Sequence, residues 1–154
     1  MPRQFDESEY PEKKLTGEII GAFYYVYHTL GYGFFESVYK KALLVELRYR
    51  GIPVAEEVPF EIPHRGVVVA TPRIDLLVAG RVIVETKAGT VLDPAGAAQL
   101  QNYLRASKIE IGLLLHFGPT PAVKRLIASR SHLRDFSSDR LRKVEEERAR
   151  SESR

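Results

Sequence analysis

The sequence predicts an α/β domain in which a central sheet is flanked by helices, and three changes of pattern along the chain predict it. Apolar residues keep a helical period from about 15 to 50. They switch to short strand-like runs punctuated by Pro and Gly from 53 to 88, then return to helix and strand after Asp93.

Each element has a local signal. Ile19, Ile20, Phe23, Val26, Tyr27 and Leu30 form one apolar stripe, predicting a helix from Leu15 to Leu30. "GYG" at 31–33 breaks the period, which resumes through Phe35, Val38, Tyr39, Ala42, Leu43 and Leu47 until Gly51, a C-terminal cap. Strand-like runs over 53–62, 67–78 and 81–88, with turns at "PHRG" and "AGR", read as an antiparallel meander. Asp93 is an N-cap followed by Pro94 at the first helical position, opening a helix over 94–106. "IEIGLLLHF" at 109–117 is a buried strand, and "AVKRLIAS" supplies one more. The organisation is a polar N-terminal tail over 1–14, one domain over 15–129 and a charged C-terminal tail over 130–154.

Composition narrows the chemistry. The chain of 154 residues has the size of one domain, and its 44% hydrophobic and 28% charged residues are those of a globular protein. No apolar stretch reaches the roughly 20 residues that span a bilayer, and the N-terminus lacks a signal-peptide core, so no membrane association and a cytoplasmic location are expected. With no cysteine, thiolate zinc sites, iron–sulfur clusters and cysteine nucleophiles are excluded. Any metal must be held by oxygen or imidazole. A net charge of +3 permits a polyanionic partner, although the basic residues are scattered.

The stretch "RIDLLVAGRVIVETKA" at 73–88 buries charge among aliphatics. A hairpin pivoting on Gly80 sets Asp75 across from Glu85, with Cβ atoms about 5 Å apart, and Lys87 on the same face. A slip of one residue would separate the two acids onto opposite faces. Paired carboxylates in an apolar sheet repel unless a proton, a lysine or a cation lies between them. Mg²⁺ suits such oxygen ligands. The plain structural alternative is a cross-strand ion pair with Asp75 on an exposed face.

The order of elements, two helices, a strand meander carrying Asp then Glu-x-Lys, a helix and a further strand, resembles the PD-(D/E)XK nuclease superfamily. "GFFESVY", with Gly33, Glu36 and Tyr39, is similar to the signature of its bacterial GxxExxY branch. The resemblance runs from about Leu15 to Ser129 through "LTGEIIGAFYYVYHTLG", "IDLLV", "VIVETKA" and "AQLQNYL". Three departures stand out. Ile74 replaces the usual proline before Asp75, "PAGAA" precedes Gln99 where relatives carry larger polar residues, and the C-terminal tail lies outside the resemblance.

The resemblance implies a restriction-endonuclease-like fold with a central mixed sheet of four to five strands, and a metal-dependent nuclease activity. Asp75, Glu85 and Glu36 are the implied ligands of Mg²⁺ or Mn²⁺. Lys87 would orient the attacking water or neutralise charge in the transition state. Gln99 and Tyr103, one helical turn apart, resemble the Gln-x-x-x-Tyr motif of RecB-like nucleases and would support the site and nucleic acid. Tyr39 either contacts substrate or packs in the core. His28 and His116 are weaker candidates for base or ligand, and the aromatic run at 23–27 reads as core before stacking platform. The implied partner is nucleic acid, DNA before RNA, and a homodimer is compatible. The alternatives are a catalytically inactive nuclease-fold binding or scaffold subunit, and a toxin- or antitoxin-like interaction protein.

Overall fold

The computed structural model describes residues 11–128; the expected C-terminal tail and most of the N-terminal one lie outside them. Two helices come first, α1 (Lys13–Leu30) and α2 (Glu36–Tyr49), then β1 (Val54–Pro59), β2 (Ile62–His64), β3 (Val67–Ala70), β4 (Arg73–Val78) and β5 (Val82–Ala88). The chain continues through α3 (Pro94–Ser107), β6 (Ile111–Phe117) and β7 (Pro121–Ile127). No helix among the described residues is long and apolar enough to cross a membrane.

The capping signals act as expected. Asp93 accepts a hydrogen bond from the Ala95 N–H at 2.9 Å, with Pro94 opening α3. Gly51 takes φ 75° after α2, and the Ile52 N–H donates to the Leu47 carbonyl at 2.9 Å, the 6→1 bond of a Schellman motif. Helix α1 starts at Lys13, two residues before the expected start at Leu15, and the Thr16 hydroxyl donates to the Glu12 carbonyl at 2.9 Å.

The sheet is mixed and five-stranded in the order β1-β4-β5-β6-β7. Pairing is antiparallel except between β5 and β6, which run parallel on either side of the α3 crossover. This matches the fold that the resemblance implies. The meander needs correction: the run 67–78 is two strands, broken at Thr71-Pro72. Proline has no N–H for a ladder, and β3 pairs with β2 in a separate hairpin whose turn residues Arg65 and Gly66 are both left-handed (φ 49° and 76°). Strand β4 then returns to pair with β1.

Helices cover both faces. Ile19, Phe23, Leu43 and Leu47 of α1 and α2 pack on Leu76, Val78, Val84, Leu113 and Leu115. Leu100 and Leu104 of α3 pack on Ile83 and Leu114. Gly112 admits α3 closely, since a Cβ there would lie 3.0 Å from Leu100. Strand β5, in the middle and covered on both faces, must bury whatever it carries.

Candidate active site

The β4–β5 hairpin turns at Ala79 and Gly80, both left-handed, closed by the Arg81 N–H donating to the Val78 carbonyl at 3.0 Å. From it runs the register Val78↔Val82, Leu77↔Ile83, Leu76↔Val84. This is the register expected from a turn at Gly80, and its next step sets Asp75 across from Glu85. There the backbone ladder stops. The Thr86 N–H donates instead to Asp75 Oδ2 at 3.3 Å. On the other side of β4 the pairing with β1 skips Asp75 as well, opposite Glu57, whose backbone is left-handed at φ 52°. Lys40 of α2 holds the Glu57 carboxylate in an ion pair. Strand β4 is thus loosened on both edges at the residue that carries the acid.

Glu85 is 7% exposed and its Oε1 has no hydrogen-bond partner. A buried carboxylate oxygen without a donor is costly. Burial pushes the Glu85 carboxyl up to about 8, helped by the charge of Asp75 and a hydrogen bond between the two carboxyl groups, while Lys87 pulls it down. Glu85 therefore holds its proton at neutral pH when nothing else bridges the two acids.

Lys87 follows two residues on, beside His116 in the parallel register of β6. Its stem packs on α3 where a Cβ at Gly96 would lie 3.4 Å from Lys87 Cε. Gly96 belongs to the "PAGAA" departure, so the small residues there make room for the lysine. The ammonium lowers the pKa of both Glu85 and Glu36, and among the described residues no ion pair closes on it.

Glu36 opens α2. Although the residue is exposed, its carboxyl is raised by partial burial, opposed by Lys87, raised further by Asp75 and opposed by Lys40. The charges of Lys87 and Asp75 thus reach Glu36, although α2 and α3 cover opposite faces of the sheet. The expected convergence is nevertheless incomplete: among the described residues no three His, Asp or Glu side chains are grouped to hold a metal ion. Glu36 rides an exposed helix end, whereas the Asp75–Glu85 pair is drawn together by strand pairing.

The remaining candidates separate by burial. Tyr39 is fully buried, stacked on Phe117 at 4.3 Å, with its hydroxyl donating to the Gly31 carbonyl and accepting from the Phe34 N–H at 3.2 Å. It is a core residue that staples loop 31–35, the second of the two alternatives its place in the motif leaves open. Gln99 Nε2 donates to the Tyr103 hydroxyl at 2.7 Å on α3, and the Tyr103 ring meets Phe60 edge-on at 4.9 Å. His116 is buried, its Nε2 without a partner and its ring against Gly118, where a Cβ would lie 2.5 Å from Cε1. The ring contacts of His28 are to Tyr24 and Tyr27 on its own helix. In the run 23–27 Phe23 and Val26 are core, and the Tyr27 hydroxyl donates to the Gly118 carbonyl at 2.8 Å. Nothing in the sequence pattern marks the Thr86 N–H or Gly96 as parts of the site, since both act through main-chain geometry.

A hard divalent cation fits this donor set. Two oxygens-only side chains stand side by side, one with an unpartnered oxygen, and Mg²⁺ commonly takes one or two carboxylates and completes its shell with water and phosphate.

Comparison with known proteins gives a family and a fold. Residues 13–126 match the model of the PD-(D/E)XK nuclease superfamily. No curated protein is significantly similar to the chain. Among solved structures it is similar to the crystal structure of SSO0001, with a TM-score of 0.51 at 18% identity over 80% of this chain. It spans 64% of the length of that chain, and likeness at this identity shows the fold alone.

Proposed function

The chain belongs to the PD-(D/E)XK nuclease superfamily, and on that premise we propose that it is a divalent-metal-dependent nuclease that hydrolyses phosphodiester bonds, in DNA before RNA. The observation that carries the reading is Glu85: a buried carboxylate with an unpartnered oxygen, one register step from a second acid, in the middle of a sheet. A core of this size has no packing use for such a pair. Gly33, Glu36 and Tyr39 support a place in the GxxExxY branch. Cytoplasmic action belongs to the same proposal.

In the proposed mechanism Asp75 and Glu85 would hold Mg²⁺ or Mn²⁺, with Glu36 of α2 as the further candidate ligand. The bound cation would supply Lewis acidity toward the phosphodiester and a more acidic water. Thr86 fixes Asp75 through its N–H, so the carboxylate is oriented before substrate arrives. Glu85 must release its proton in order to serve as a ligand. Lys87, with its stem held against Gly96, presents an ammonium that stabilises negative charge growing on the phosphorus oxygens and on the attacking water. Gln99 and Tyr103 brace the wall from α3.

The second reading, an inactive nuclease-fold subunit that binds nucleic acid, is favoured by one observation, the lack of a ready-made three-ligand group among the described residues. Cleavage of supercoiled, linear and single-stranded DNA with Mg²⁺ or Mn²⁺, against a Lys87→Ala control, separates the two. Metal-dependent cleavage lost in the control supports the nuclease; binding without cleavage by either protein supports the inactive subunit.

A further inference from the structure

The loop between α1 and α2 exposes three large aromatics in four residues. Phe35 is 85% exposed, Phe34 49% and Tyr32 47%. Leaving such rings in water forgoes their burial energy, and neighbouring surface aromatics mark binding sites. The loop is held in shape. Gly31 and Gly33 take left-handed φ (74° and 117°), and the buried Tyr39 hydroxyl ties Gly31 to Phe34. The rings therefore stand on a fixed backbone, as a preorganised platform requires.

Beside them is a cavity of about 340 Å³ lined by Tyr32, Phe34, Phe35 and Glu36, and closed on its other side by Ala88 and Gly89. That volume is at the small end of ligand sites and suits one planar group. It meets the proposed site at Glu36, which lines it and feels the charges of Lys87 and Asp75, and it lies at the end of β5, where Ala88 faces α1 and α2 while Lys87 faces α3. A base in this cavity would have its own phosphate next to the scissile position.

We infer that the Tyr32–Phe35 loop is a stacking subsite for an unpaired nucleobase flanking the cut, so that the preferred substrate is single-stranded or carries an unpaired nucleotide at the cleavage position. The inference rests on the nuclease reading and adds its substrate class. A base held within a duplex keeps both faces against its neighbours and cannot enter, whereas an unpaired base offers its faces to the rings.

The test compares wild type, Phe35→Ala and Phe35→Trp as full chains. Phe35 projects into solvent, so neither substitution disturbs the core. Affinity is measured in chelator for a single-stranded oligonucleotide carrying 2-aminopurine and for the same sequence fully paired, and cleavage of both is followed with Mg²⁺. Wild type and Phe35→Trp should quench the unpaired 2-aminopurine; Phe35→Ala should not, and should bind the single strand about tenfold more weakly or worse, with duplex affinity changed less than twofold. Equal affinity of wild type and Phe35→Ala for the single strand would overturn the inference, as would an equal loss on both substrates. Metal-dependent cleavage that prefers the duplex and ignores Phe35 would keep the nuclease and reject the subsite. Absence of both binding and cleavage in wild type would reject the nuclease and the subsite together.

Discussion

The two ends of the β4–β5 hairpin are built to opposite rules. At the turn end Leu76, Val78, Val82 and Val84 are fully buried, every residue is paired across the ladder and no polar side chain intervenes. One residue further on the ladder stops, a side-chain carboxylate takes a main-chain N–H, and a second carboxylate is buried with an oxygen unsatisfied. The turn end supplies stability; the open end spends some of it to bury a carboxyl group with an unsatisfied oxygen beside a second acid. Substitutions at the two ends should therefore fail in different ways.

The largest expected effect is on the pH dependence of stability. The folded pKa of Glu85, about 8, lies above its ordinary 4.5, so between these values the folded state holds a proton that the unfolded state has lost. Stability should then fall as pH rises from about 4.5 to about 8 and level off above. At 1.36 kcal/mol per unit the upper limit is on the order of 5 kcal/mol. Urea denaturation at several pH values in chelator checks this, with Glu85→Gln expected to flatten most of the slope. Identical slopes in the two proteins would remove Glu85 as the source.

At the packed end Leu76→Ala should cost about 3 kcal/mol of stability through the cavity it leaves, while each folded molecule keeps its activity. At the open end Lys87→Ala should reverse that pattern. Turnover falls about 100-fold, equivalent to about 2.7 kcal/mol, with the unfolding midpoint nearly unchanged. Parallel urea titrations and single-turnover cleavage of both variants test the contrast, which is lost if either variant changes stability and turnover together.

How far this contrast is legible in the sequence depends on whether a signal is local. The Gly80 turn dictates the register that opposes Asp75 and Glu85, and Asp93-Pro94 and Gly51 mark helix ends, because turn and cap chemistry acts over three or four residues. The division of 67–78 into β3 and β4 is not legible in the same way. Val67–Ala70 and Ile74–Val78 are both apolar, and only tertiary pairing assigns one to a side hairpin and the other to the sheet. Tyr39 and Phe35 make the same point: both are aromatics of one motif, yet one is buried and the other almost wholly exposed. The contact of Gly96 with Lys87 joins α3 to β5, and neither sequence neighbourhood announces the other.

A smaller effect is expected where loop 31–35 is tied down. Tyr39→Phe removes the hydroxyl that bonds Gly31 and Phe34, and should cost about 1 kcal/mol in thermal unfolding. A cost near zero would mean that the staple does not hold the loop.

The most direct test of the central claim, that the open end is strained until a cation bridges its acids, is thermal unfolding of wild type and Asp75→Asn in chelator and in millimolar Mg²⁺, at fixed ionic strength. Asparagine can still accept from the Thr86 N–H and removes one charge beside Glu85. In chelator, at a pH above about 8 where Glu85 has lost its proton, the variant should melt slightly higher than wild type. Mg²⁺ should raise the wild-type melting temperature by binding the folded state and barely move the variant. A variant that melts lower in chelator, beside a wild type indifferent to Mg²⁺, would make Asp75 a structural hydrogen-bond acceptor and contradict the account.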